Sequence, residues 1–98
     1  MKIIKGQKYL VRSVDAGVYF GEITEQDGNE VTMKNARNIW YWNGAASLMQ
    51  MAVDGVSGPR NCKFTKYCKE IVILGVCEII LCEDKAVKSI EGVPEWTA

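Results

Sequence analysis

The sequence predicts an α+β fold, a curled antiparallel sheet or partly open small barrel carrying two short helices. Three observations lead to it. Segments of good β propensity recur between glycine-containing turns, as in hairpin-connected sheets. The stretch Asn35 to Val53 passes from extended chain into three- and four-residue apolar spacing, which sets a helix between early and late strands. A second apolar stripe, Ala86, Val87 and Ile90, is closed by Gly92 and Pro94.

Taken in order, Lys8 to Val14 alternates imperfectly and is rich in β formers, and Asp15-Ala16-Gly17 turns the chain. Val18 to Glu25 is a strand with an aromatic on each face and Gly21 inside it, where a bulge or close approach is expected. Asp27-Gly28 between extended segments is a hairpin signal. In Glu30 to Trp40, Val31 and Met33 share the core face, and Asn35 to Arg37 interrupts the alternation, so the strand bends there. A helix over about residues 44–54 follows, with Asn43 as its cap and Gly55 as its stop. Asn61 to Tyr67 is a short strand with Cys62 and Phe64 on one face, and Cys68-Lys69 a connector. Glu70 to Cys82 is the most strand-like run and divides at Gly75. The second helix spans about residues 83–91, its acidic start suiting the helix dipole. Residues 1–98 form one domain, and a chain of 98 residues buries only a modest core, so association into a homo-oligomer is expected.

Composition limits the function. Apolar residues make up 48% and charged residues 24%, which excludes a disordered chain. Lysine plus arginine and aspartate plus glutamate both total 12, so no bulk charge steers the protein to nucleic acid or anionic lipid. Neither a signal-type apolar stretch nor a membrane-length run is present, which points to a cytosolic protein. The four cysteines include no C-x-x-C pair, and there is no histidine, so reduced structural thiols are expected and no metal site. Without histidine the commonest acid–base group is missing, and neither a phosphate loop nor a dinucleotide fingerprint is present. A non-enzymatic protein with no catalytic residues and no cofactor is expected.

Binding chemistry concentrates around the first helix. Trp40 and Trp42 flank Tyr41 and are expected to share one face, where indoles stack a base or else anchor a core or subunit interface. Asn43 and Ser47, with the small residues between them, open a helix whose free N–H groups suit a phosphate or ordinary capping. Arg37 and Arg60 are two of only three arginines and bring bidentate donors to the same end. The candidate ligand-binding residues are therefore Arg37, Trp40, Trp42, Asn43, Ser47 and Arg60.

The segments GVYFGEI, EVTMKNARNIWYWNGAASLMQMAVDGV and NCKFT, with the closing GVPEW, resemble a family of short phage- and prophage-encoded domains of unknown function. The likeness covers nearly the whole chain and implies no catalytic residues. In size, β-rich pattern and lack of catalytic residues the chain is also similar to phage anti-defence proteins that sequester nucleotide immune signals. That similarity implies a homo-oligomer in the host bacterial cytoplasm, binding a cyclic nucleotide or a cyclic ADP-ribose-type molecule. The alternatives are a protein-interaction module inhibiting a host factor, and a phage structural or assembly protein. Nucleic acid and membrane are not expected partners.

Overall fold

Six antiparallel strands and two helices make up the computed structural model, which describes residues 1–98. The strands are β1 (Tyr9–Ser13), β2 (Gly17–Asp27), β3 (Glu30–Tyr41), β4 (Lys63–Phe64), β5 (Cys68–Ile73) and β6 (Val76–Leu81). The helices are α1 (Leu48–Asp54) and α2 (Asp84–Glu91), and a 3-10 turn at Pro59–Asn61 precedes β4. β6 pairs with β1, β1 with β2 and β2 with β3, while the far edge of β3 is shared by β5 along its first half and β4 at its end.

This order forces curvature. In a flat sheet, β5 and β6 would stand about 19 Å apart, four inter-strand spacings. The link between them is only Leu74-Gly75, which reaches about 11 Å from Ile73 to Val76. The sheet therefore curls until its two edges meet at Gly75, whose φ of 66° makes the corner. β5 and β6 share no ladder, so the sheet is not closed into a barrel.

Curling creates two cores. Tyr9, Val11, Ile23, Val31, Met33, Ala36 and Ile73 fill the inside of the curl. Leu10, Phe20, Ile39 and Phe64 point outward and are covered by Met51 and Ala52 of α1 and Ala86 and Ile90 of α2. β1 is thus buried on both faces, which explains its imperfect alternation.

A bulge changes the phase of β3 between these cores. Phe20 pairs with Arg37 and Glu22 with Lys34, so Gly21 faces an extra residue on β3. Asn35 adopts φ 48°, a left-handed conformation that asparagine tolerates. Before the bulge Val31 and Met33 face the inside, and after it Ala36 does, leaving Arg37 and Ile39 on the helix side. The bend expected at residues 35–37 is this bulge.

Three expectations need correction. Helix α1 begins at Leu48 rather than near residue 44, because Asn43 and Gly44 are tied to a loop: Gly58 N–H donates to Asn43 O at 3.3 Å and Ser57 N–H to Gly44 O at 3.1 Å. Ser47, not Asn43, is the cap, its hydroxyl accepting the Gln50 N–H at 3.1 Å. Cys68 and Lys69 open β5 instead of connecting to it, held by the pairing of Cys68 with Ala36. Elsewhere the stop at Gly55 holds, its N–H donating to Met51 O at 2.8 Å, and α2 spans Asp84–Glu91.

A Cβ at Gly21 would lie 2.9 Å from both Ala36 Cα and Asn35 O. Gly21→Ala is therefore expected to destabilise the fold by about 1–3 kcal/mol, read as a lower urea midpoint at unchanged slope.

Candidate functional site

Arg37 is 1% exposed and its guanidinium is spent on backbone carbonyls. Nε donates to Thr65 O at 2.9 Å, one Nη to Ile90 O at 3.1 Å and Val93 O at 3.2 Å, and the other Nη to Phe64 O at 3.3 Å. No carboxylate pairs with it. The carbonyls at the C-terminal end of α2 stabilise the buried charge in place of a counter-ion. Phe64 and Tyr67 lie against it at 5.4 and 4.7 Å from ring centroid to guanidinium carbon. Burial pushes the Tyr67 phenol above its ordinary value, and the Arg37 charge partly offsets this. The expected phosphate contact of Arg37 is thus replaced by a structural one, since no face of the guanidinium is left in solvent.

The helix start is similarly engaged. Besides the Ser47–Gln50 cap, Ala46 N–H donates to the Gln50 side-chain oxygen at 2.7 Å, a variant of the capping box. Asn43 N–H donates to the Cys62 sulfur at 3.3 Å. Ser47 and Asn43 therefore organise the segment between β3 and α1. Arg60 is exposed in the 3-10 turn and makes no hydrogen bond or ion pair.

The aromatic residues divide. Trp40 and Trp96 are 61% and 43% exposed and stack on each other, with ring centroids 5.1 Å apart and planes tilted by 36°. The Lys63 ammonium lies 5.6 Å from the Trp40 ring and 5.5 Å from the Trp96 ring. Strand pairing builds this arrangement: β4 lies between β3 and the bridge of Phe64 to Glu95, so Lys63 projects outward between the two indoles. Trp96 N–H donates to Phe64 O at 2.8 Å, and Lys66 pairs with Glu95 at 3.1 Å. Trp42 instead packs on the outer core, its indole N–H donating to Ala45 O at 3.2 Å. A bulge between Ile39 and Tyr41 interrupts the regular alternation here, and Trp40, Tyr41 and Trp42 all border one shallow concavity while Trp42 alone reaches the core.

Two concavities adjoin these side chains. One of about 260 Å³ lies over Trp40, Tyr41 and Trp42. Another of about 350 Å³ brings Trp42 and Ser47 together with Leu48, Met49 and the Arg12–Glu78 ion pair at 3.1 Å. Of the six candidate residues, the structure thus gathers Trp40 with Trp42 and Trp42 with Ser47, and takes Arg37 out of reach. Lys63 and Trp96 were missed as partners of Trp40. The only sequence signals were an apolar residue after Pro94 and a lysine beside core Phe64. No group of three or more metal-ligating residues is present, and no helix is long and apolar enough to cross a membrane.

The fold and this site define a small α+β domain with an exposed aromatic face centred on one lysine. The chain belongs to the family described as a domain of unknown function (DUF6948), whose model matches residues 6–90. No curated protein and no solved structure matches it.

Two measurements check the site's chemistry. Arg37→Met should lower unfolding free energy by about 3 kcal/mol or more, because several buried carbonyls lose a charged donor at once. Arg37→Lys should rescue little, since one ammonium cannot span carbonyls from β4, α2 and the tail. Burial pushes the Cys82 thiol up to about 12, and Cys62 is buried too, whereas Cys68 and Cys77 are exposed. At about pH 8, a thiol-titrating disulfide reagent should therefore modify Cys68 and Cys77 rapidly, and Cys62 and Cys82 only on unfolding.

Proposed function

We propose that this domain is a non-catalytic binder that captures a ligand bearing a flat aromatic ring and an anionic group, with a nucleotide as the ligand class. The observation that carries this is the solvent-facing Trp40–Trp96 pair with Lys63 over both rings. Large aromatics exposed together are uncommon unless they meet a partner. An indole face stacks a base at about 1–3 kcal/mol. Lys63 supplies positive charge for phosphate beside both rings. A cyclic nucleotide or cyclic ADP-ribose-type immune signal fits this chemistry. Its stoichiometric sequestration in an infected bacterium's cytoplasm is the biological role that the resemblance to phage anti-defence proteins favours.

A second reading is a protein-interaction module inhibiting a host factor. It is favoured by the small volume, about 260 Å³, of the concavity over Trp40, Tyr41 and Trp42, below the usual size of small-molecule sites. Exposed tryptophan and tyrosine are also the residues that dominate protein interfaces.

Titration with cyclic dinucleotides, cyclic AMP and ADP-ribose species, followed by tryptophan fluorescence, separates the two. Saturable quenching should appear and weaken about tenfold in Trp40→Ala, a loss of about 1.4 kcal/mol. The ligand should be released intact on heat denaturation, as read by mass spectrometry. No quenching by any of these molecules, with the protein folded, overturns the nucleotide reading.

A further inference from the structure

We propose that the free edge of β5 joins two copies of this chain, their β5 strands running antiparallel about a two-fold axis at Val72. β5 is bonded along one edge only, to β3, and has no neighbour on the other. The hydrogen bonds outside the regular elements use no backbone group of residues 68–73. Such an edge is a template for another strand, and proteins normally blunt it with a proline, a bulge or a charge at mid-strand. β5 has no proline and an unbroken register with β3; its two charges, Lys69 and Glu70, lie in its first half, and its second half is the apolar run Ile71-Val72-Ile73. The opposite edge, β6, is blunted by a break in its ladder, where its register with β1 shifts between Arg12 and Ser13.

The surface beside β5 is aliphatic. Val72 and Leu74 are 52% and 62% exposed, and an open groove of about 340 Å³ runs along them, walled by Tyr19, Ala16 and Asp15. The occupant follows from the strand's own pattern. An antiparallel pair centred on Val72 sets Val72 against Val72 of the second copy, Ile71 against Ile73, and Glu70 against Leu74. The isoleucines then extend the inner core across the axis, and no like charges oppose each other. Centring on Glu70 would oppose two carboxylates, and centring on Ile71 would set Lys69 against Ile73. Centring on Ile73 would set Ile71 against Gly75, beyond the end of the strand, so the Val72 register is the one that pairs both isoleucines within an apolar centre, and a strand that complements itself makes a closed, isologous dimer.

Charge swapping at the axis tests the register. Sedimentation velocity should show a dimer whose fraction rises with concentration. Val72→Lys and Val72→Glu should each be monomeric while keeping the wild-type circular dichroism, because the side chain is half exposed. Mixing the two should restore the dimer, since the introduced ammonium of one copy would then face the introduced carboxylate of the other across the axis. Leu74→Lys serves as the second disrupting variant should either Val72 variant fail to fold. A wild-type protein that stays monomeric up to its solubility limit overturns the proposal. So does a folded Val72→Lys or Leu74→Lys protein that remains dimeric, or a mixture of folded Val72 variants that remains monomeric.

Discussion

A single buried guanidinium holds the second half of this molecule together. Arg37 stands on β3, yet its hydrogen bonds reach the carbonyls of Phe64 and Thr65 at β4, of Ile90 in α2 and of Val93 beyond it. β4 has only two residues and α2 only eight, so neither is secured by its own ladder or length. Arginine supplies donors in a rigid fork, which lets one residue bind segments arriving from several directions. Phe64 O accepts from both Arg37 and the Trp96 N–H, so the buried clamp and the exposed aromatic pair meet at one carbonyl. The outer face of the site rests on the inner bond.

Arg37 reaches that position because of the bulge opposite Gly21. Strand side chains alternate, so if Asn35 continued the regular alternation instead of being absorbed in the bulge, the guanidinium would point into the curl beside Met33. There it would meet Tyr9, Val11 and Ile23, with no carbonyl ends available. One glycine that admits a close neighbour, and one asparagine that accepts a left-handed conformation, redirect the rest of β3. The redirected strand carries Ile39 to the helix side and Trp40 to solvent.

This geometry separates two kinds of aromatic residue that look alike in sequence. Trp42 lies on the outer core and satisfies its indole N–H locally, whereas Trp40 is left in solvent with Trp96 and Lys63. The exposed pair is the feature that packing alone does not explain, and it is what the proposed ligand would cover. The edge of β5 presents different chemistry, with aliphatic Val72 and Leu74 exposed in place of indoles. An aromatic face and an apolar edge on one small domain suit different partners.

The sequence by itself determined what depends on neighbours along the chain. It placed the first three strands, the Asp27-Gly28 hairpin, the division at Gly75 and the second helix, because alternation, turn chemistry and capping are local, but the strand expected over Asn61 to Tyr67 is only Lys63–Phe64. The start of the first helix escaped it, since Asn43 and Ser47 are equally good caps in isolation. The loop at Ser57 and Gly58 decided between them by taking the Asn43 and Gly44 carbonyls. Tertiary structure alone decided the fate of Arg37, whose acceptors lie 27, 28, 53 and 56 residues away. It also decided the pairing of Trp40 with Trp96 through a third strand. A side chain's periodicity tells which face it occupies only while the register is unbroken, and each bulge in β3 resets it, so those positions became legible only once the strands were paired.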